Sequence, residues 1–321
     1  MKRKVLISVG KRNFPEDVAE ALAPLAEVVF APSRDYGDLL GGAHVVVVGT
    51  EPVDDAYLDM APELRLVSRF GIGYDSVDFE ACRARRIYVT HTSGVLSEAV
   101  AEHAWALILG LVKRVPQGDR YAREEWALRR RALPLGSDLL GKTLGIIGLG
   151  AIGAEVAKRA AGFGMRLVYH DVVRRPELES GYGVEFAELD ELLSVSDIVT
   201  VHTPLMPSTR GLIGGRELGM MRPTAVLVNT SRGPVVDQAA LVEALERDEI
   251  AGAALDVFEV EPVPLDSPLL KMENVVVTPH TASATWETRR KMAESCAESV
   301  REFLEGKRPR KLIPEMRDTF F

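Results

Sequence analysis

Three residues of this 321-residue chain are of the types that acid–base chemistry on a small organic acid requires. Arg232, Glu261 and His280 each stand in a short loop after an apolar run that reads as a strand. The planar fork of an arginine matches the two oxygens of a carboxylate. A histidine moves a proton on or off a hydroxyl near neutral pH. A carboxylate beside that histidine fixes its tautomer and favours its charged form. Set beside a nicotinamide, the three compose a hydride-transfer site for a 2-hydroxy or 2-keto acid. Taken singly, each has an ordinary explanation: a surface charge, a turn residue and a capped strand end.

The stretch that would hold such a cofactor lies mid-chain. The apolar run Thr143-Leu144-Gly145-Ile146-Ile147 is followed by Gly148, Gly150 and Gly153 in G-x-G-x-x-G spacing, then by the helix formers of 154–161. Gly148 permits the tight turn, Gly150 lets a pyrophosphate approach the backbone, and Gly153 lets helix and strand pack closely. The free N–H groups and positive dipole end of the helix then face the phosphates. A second strand ends at Asp171, placed to take the two ribose hydroxyls of the adenosine half. A glycine triplet alone is an ordinary strand–helix turn. With strand, helix and acid in order, it points to a dinucleotide.

Further strands are expected at Ile198–Val201, Ala225–Val228, Ala253–Leu255 and Val275–Thr278, with helices between. In a parallel sheet the loops that follow them gather at one edge, beside the glycine turn. Residues 1–94 show the same alternation: strands at Val5–Val9, Val28–Phe30, Val45–Val48, Leu66–Val67 and Ile87–Val89, helices at Pro15–Leu25 and Val53–Met60. Ser97 to about Val112 reads as a long apolar helix, a candidate interdomain or subunit helix. Residues 113–132 read as a partly exposed helix with a loop after it. Residues 286–305 read as a closing helix, and the tail from Pro309 as irregular. The fold class is therefore α/β, with two doubly wound parallel-sheet domains. The cofactor domain (98–285) is inserted into the substrate domain (1–97 and 286–321).

Composition narrows the partners. A net charge of −8 argues against non-specific binding to nucleic acid or anionic membranes. Cys82 and Cys296 form no disulfide framework or metal cluster and read as core thiols. The apolar run after Lys2-Arg3-Lys4 is too short for a secretory signal and reads as a strand, so a cytoplasmic location is expected. His44, His91, His103, His170 and His202 read as strand-end, packing or backbone-contact residues, and Trp105 as core. Trp286 reads equally as a lining of the substrate entrance or as helix packing.

At these residues the chain resembles the D-isomer-specific 2-hydroxyacid dehydrogenases, the family of glyoxylate/hydroxypyruvate reductases and phosphoglycerate dehydrogenases. The resemblance runs from about residue 64 to 305. It rests on Phe70-Gly71-Ile72-Gly73-Tyr74-Asp75, the Gly148–Gly153 turn, His202-Thr203-Pro204-Leu205, Asn229-Thr230-Ser231-Arg232-Gly233, Leu255-Asp256-Val257-Phe258-Glu259 with Glu261-Pro262, and Thr278-Pro279-His280. It implies that Arg232 binds the substrate carboxylate and carbonyl, that His280 is the acid/base and that Glu261 is its partner. It implies that the Ile72 and Gly73 amides help hold the carboxylate and that Asp256 reaches the nicotinamide carboxamide. Cofactor contacts are implied for Gly148, Gly150, Ala151, Ile152, Gly153, Asp171, His202, Thr203, Pro204, Thr230, Asp256, His280 and Ala282. No metal is implied. Ala151 departs from the longer polar or basic side chain of many relatives. The family's dimerisation region corresponds to Ser97–Val112 and the segment after it, so a homodimer through the cofactor domains is expected.

The expected activity is NAD-dependent reduction of a small 2-keto acid of the glyoxylate or hydroxypyruvate class. Arg174 and Arg175, shortly after Asp171, could soften rejection of NADP. Phosphoglycerate dehydrogenases carry an arginine just before the loop that matches Phe70–Asp75, which makes Arg69 a candidate phosphate clamp. The alternative is then a phosphoglycerate dehydrogenase without a regulatory domain. An alternative of another class is an NAD(H)-sensing binding protein like the related co-repressors, against which the complete Arg232, Glu261, His280 set argues. A formate-type dehydrogenase would be expected to carry a glutamine in place of Glu261.

Overall fold

A computed structural model describes residues 2–32, 36–128 and 132–319. The chain divides into two compact units, Met1–Leu96 with Ser283–Phe321, and Ser97–Ala282.

The first unit opens with β1 (Arg3–Ile7), α1 (Glu16–Glu20), β2 (Ala26–Phe30), α2 (Gly37–Leu40), β3 (Val45–Val48), α3 (Asp55–Asp59), β4 (Leu66–Arg69), α4 (Phe79–Ala84) and β5 (Tyr88–His91). Its five strands are all parallel, in the order β2-β1-β3-β4-β5. Every residue of β3, β4 and β5 is buried. That is why these strands read as continuous runs: a parallel sheet is covered on both faces.

The second unit opens with α5 (Ser97–Val112) and α6 (Val115–Glu124). It continues with β6 (Thr143–Ile147), α7 (Ala151–Ala160), β7 (Arg166–His170), α8 (Pro176–Tyr182), β8 (Val184–Phe186), α9 (Leu189–Val195) and β9 (Ile198–Val201). It closes with α10 (Gly215–Met220), β10 (Val226–Asn229), α11 (Gln238–Glu246), β11 (Gly252–Leu255) and β12 (Val275–Val277). All seven strands are parallel, in the order β12-β11-β10-β9-β6-β7-β8. The chain steps outward from β6 to β8, then returns to β9 on the far side of β6. The carboxyl ends of β6 and β9 therefore flank the crevice where such sheets take ligands.

The apolar residues of α5 serve the core of their own unit. Ala101, Ala104, Trp105, Leu107 and Ile108 pack with Ile146, Val156 and Ala157, and Trp105 stacks on Phe163 with ring centroids 4.5 Å apart. The apolar residues that made α5 a candidate subunit helix are thus covered within their own unit. Exposed apolar side chains lie further on, among them Val115, Trp126, Leu135 and Leu140.

The first unit is completed by α12 (Trp286–Leu304), capped by the Thr285 hydroxyl on Thr288 N–H and burying Met292, Cys296 and Val300. Residues 311–313 then run against β5. His91 N–H donates to Lys311 O and Ile313 N–H to Val89 O, around an antiparallel bridge between Thr90 and Leu312.

Element ends differ from expectation for local reasons. The helix expected over Pro15–Leu25 stops at Glu20 and passes into tight turns, because Pro24 lacks an N–H and disfavours helix at Ala23. α7 starts at Ala151 rather than 154, directly off the glycine turn. α2, α4 and β8 carried too few apolar residues to be seen in sequence. Trp286 is 76% exposed, so it is not helix packing. Part of the exposed stretch expected over 113–132 lies outside the described residues. Among the described residues no helix is long and apolar enough to cross a membrane.

Candidate active site

The glycine turn is shaped by close approach. A side chain on Gly153 would meet the Gly148 carbonyl oxygen, and one on Gly148 (φ 91°) would meet the carbonyl of His202. The turn out of β6 is thereby packed on the end of β9. Among the described residues nothing lies within 4 Å of where a β-carbon on Gly150 would stand. Gly150 caps α7 without a side-chain hydrogen bond, and the first turn of the helix holds no acid. Its N–H groups are left for an outside acceptor. Asp171 sits beside the turn, accepting from Leu149 N–H at 2.8 Å and Val173 N–H at 3.1 Å. Arg174 is engaged by Glu179 at 2.8 Å and lies over Phe186.

Further round the same edge, Thr203 Oγ1, Thr230 Oγ1 and His202 Nδ1 are buried without a hydrogen-bond partner among the described residues. Burial pushes the His202 imidazole down to about 3, and its Nε2 meets Thr200 Oγ1 at 2.9 Å. Buried polar atoms without partners are rare enough to need an explanation. A ligand carrying hydroxyls, phosphates and an amide supplies one. These residues fit a dinucleotide.

His280 and Glu261 meet in this unit, with Nδ1 2.7 Å from Glu261 Oε2 and both side chains about one-third exposed. The other Glu261 oxygen accepts from Phe258 N–H at 3.0 Å. Burial works to raise the Glu261 carboxyl. The hydrogen bond and charge of His280, the Phe258 amide and the charge of Arg232 outweigh it and hold the group below its ordinary value. Arg232 donates through Nη1 to Ser231 O at 2.8 Å. Its loop is fixed by Asn229, whose Oδ1 accepts from Ser231 N–H and Oγ and whose Nδ2 donates to Arg232 O. His280 adopts the left-handed backbone conformation (φ 53°), which costs a non-glycine residue about 1–3 kcal/mol and persists only where the surroundings impose it. Its N–H is held by Asp256 O at 2.8 Å and Thr278 O at 3.1 Å.

Asp256 is fully buried at the end of β11. Its Oδ1 accepts from Thr278 Oγ1 at 2.6 Å and Thr281 N–H at 2.8 Å, and its Oδ2 from Ala282 N–H at 2.9 Å. Burial alone would raise this carboxyl. The side chains of His103 and Thr278 and the two amides hold it below the ordinary range instead. His103 Nε2, on α5, stands 3.0 Å from Thr278 Oγ1 and 3.4 Å from Asp256 Oδ1.

The loop Phe70–Asp75 belongs to the first unit. Ile72 and Gly73 are half-buried there, and Ile72 O accepts from His91 Nδ1 at 2.9 Å. Burial lowers the His91 imidazole, keeping it neutral with its proton on Nδ1. Tyr74 OH donates to Glu315 at 2.9 Å. Arg69 is 5% exposed, its guanidinium lies against the Gly71 backbone, and it donates to Phe70 O.

Sequence reasoning read His103 as packing and passed over Asn229 and Tyr74. The one signal for His103 is a histidine within an otherwise apolar helix. Asn229 and Tyr74 lie inside recognised motifs, with nothing local to mark their partners.

The family model "D-isomer specific 2-hydroxyacid dehydrogenase, NAD binding domain" matches residues 105–282. The chain is 50% identical to the glyoxylate reductase of Korarchaeum cryptofilum over 82% of this chain and 80% of that protein. It is 41% identical to the glyoxylate reductase of Thermococcus litoralis over 98% and 97%. Among solved structures it is similar to an NADPH-dependent glyoxylate/hydroxypyruvate reductase from Sinorhizobium meliloti in complex with NADP and malonate. That similarity has a TM-score of 0.87 and 32% identity, and covers 98% of each chain. With the two parallel-sheet units described above, these matches establish an oxidoreductase acting on CH–OH groups: the chain belongs to the D-isomer-specific 2-hydroxyacid dehydrogenases.

Proposed function

We propose that the chain is an NAD-dependent reductase of small 2-keto acids, glyoxylate foremost, working through Arg232, Glu261 and His280. The observation that carries the reading is the 2.7 Å contact between His280 Nδ1 and Glu261, with the charge of Arg232 close enough to act on the same carboxylate. Glu261 engages Nδ1, which leaves Nε2 as the atom that gives the proton to the carbonyl oxygen in reduction and takes it back in oxidation. Arg232 binds the acid and polarises its carbonyl. Bound nicotinamide supplies the hydride exchanged with C2 of the acid. The Gly148–Gly153 turn, with the amides of Ala151 and Ile152, holds the pyrophosphate. His202, Thr203, Pro204, Thr230 and Ala282 line the rest of the cofactor's path, and Asp256 takes the nicotinamide carboxamide.

Asp171 favours NAD, because its carboxylate repels a 2′-phosphate, and Arg174 is occupied by Glu179. The burial of Arg69 against its own loop supports a brace rather than a phosphate clamp, and so favours unphosphorylated acids over phosphohydroxypyruvate. The exposed Trp126, Leu135 and Leu140 support pairing of two copies through the second unit, which sedimentation at micromolar concentration tests. The decisive experiment is steady-state turnover of glyoxylate, hydroxypyruvate, phosphohydroxypyruvate and pyruvate with NADH and with NADPH. Glyoxylate with NADH should give the highest kcat/KM. Preference for NADPH would overturn the role of Asp171, and preference for phosphohydroxypyruvate that of Arg69. Absence of turnover with every pair would overturn the catalytic assignment.

A further inference from the structure

Asp256 presents two unequal oxygens. Oδ1 is loaded by the Thr278 hydroxyl and the Thr281 amide, whereas among the described residues Oδ2 takes the Ala282 amide alone and keeps a lone pair. Which oxygen faces which way depends on the rotation of the carboxylate. Thr278 fixes that rotation with its 2.6 Å bond. A threonine hydroxyl has one proton, and here it is given to Asp256. His103 Nε2, 3.0 Å from the same hydroxyl oxygen, must therefore be the donor, with its proton on Nε2. The order of donation is His103 to Thr278 to Asp256. In such a chain each bond polarises and strengthens the next.

The position of His103 suits it to this work. It lies on α5, a sixteen-residue helix whose apolar residues are locked into the core of the second unit. Thr278, by contrast, lies just past the end of β12, on the loop that carries His280. The relay ties that loop to a rigid helix. Asp256 also holds His280 N–H through its carbonyl, so one residue serves the histidine and the carboxamide assigned to it above.

We propose that His103 is a positioning residue. By donating to Thr278 it holds the Asp256 carboxylate in the rotation that leaves Oδ2 for the nicotinamide carboxamide. The inference rests on the assignment of Asp256 made above. It concerns the nicotinamide ring of the cofactor alone, and ADP-ribose, which lacks that ring, is the matched probe.

The test is calorimetric titration of NADH and of ADP-ribose into the parent, His103→Ala, His103→Gln and Asp256→Asn proteins. His103→Ala should lose about tenfold in NADH affinity, as losing an outer partner of a binding group does. Its ADP-ribose affinity should stay at the parent value, which also reports that the variant is folded. His103→Gln should recover most of the loss, because its amide nitrogen can donate from near the place of Nε2. Equal weakening of both ligands would make His103 a structural residue and overturn the proposal. Parent-like NADH binding in His103→Ala, or no recovery in His103→Gln, would also overturn it. Asp256→Asn separates the two assignments. If it weakens NADH selectively while His103→Ala does not, the relay falls and Asp256 stands. If it spares NADH, the assignment of Asp256 falls and the relay with it.

Discussion

In the second unit the strand order reverses between β6 and β9, and the space beside Gly150 there is open. In the first it reverses between β1 and β3, and the ends of those strands are closed by side chains. Ser8 Oγ, just past β1, donates to Glu51, just past β3, and Tyr36 OH reaches the same carboxylate at 2.8 Å. Tyr57 OH stands 3.3 Å behind Tyr36. Burial pushes the Tyr36 hydroxyl up to about 12 and raises that of Tyr57 as well, so both stay protonated. Topology alone offers a crevice in each sheet. Glycines keep one open, and a polar cluster plugs the other.

If the reactive groups are those at the edge of the open sheet, substitutions in the two units should separate cleanly. The largest effect is expected at His280. His280→Ala should lower kcat by about 10²–10⁴-fold, the usual worth of a positioned acid–base group. A loss below tenfold in stopped-flow reduction would remove His280 from proton transfer.

Filling the open crevice comes next. A β-carbon on Gly150 has no described atom within 4 Å, and Gly150 lies at φ −77° in extended backbone that other residues adopt, so the thermal stability of Gly150→Leu should hold. Cofactor affinity should fall by at least about tenfold, roughly 1.4 kcal/mol, because the added side chain occupies the space through which a pyrophosphate approaches the backbone. If melting temperature and affinity fell together, the space beside Gly150 would be structural rather than reserved.

Glu261→Gln should act more weakly, costing about tenfold in kcat as loss of a supporting partner does. It also carries a pH signature. The Glu261 carboxyl is held below its ordinary value of 4.5, so its ionised form stabilises the fold above that pH. The contribution is lost as pH falls through the lowered value. The stability gap between parent and variant should therefore be widest at neutral pH and close on acidification below about 4.5. A gap independent of pH would contradict the pairing.

The smallest effect is expected in the plugged crevice. Tyr57→Phe removes one buried hydroxyl bond and should cost about 1 kcal/mol in denaturant unfolding. Its kcat should match that of the parent. A tenfold loss of kcat would mean that the first crevice is not merely closed.

What could be read in advance follows the same division. The glycine turn, its strand and Asp171 are contiguous, and their spacing carries the geometry. Arg232, Glu261 and His280 were legible as loop residues after strands, because parallel topology gathers such loops at one edge. The inward turn of Arg69 was not, since β4 is buried on both faces and lacks the alternation that tells inside from outside. Nor was the His103–Thr278–Asp256 relay, whose members are far apart in sequence and meet only once α5 packs on the sheet. The apolar character of α5 was visible, but not that its own unit would cover it.

The short run 311–313 has a consequence for how the chain behaves in company. β5 is the outermost strand of its sheet, and an outermost strand offers its unused N–H and C=O groups to any other extended segment. Here Lys311 and Ile313 take up those groups, and Leu312 is buried against them. Stripped of these residues, the unit would present Tyr88–His91 as a bare template of β-branched and aromatic side chains, the kind of surface on which chains add to one another. The tail thus acts as a stopper on sheet growth, keeping a well-folded sheet from becoming the seed of an aggregate.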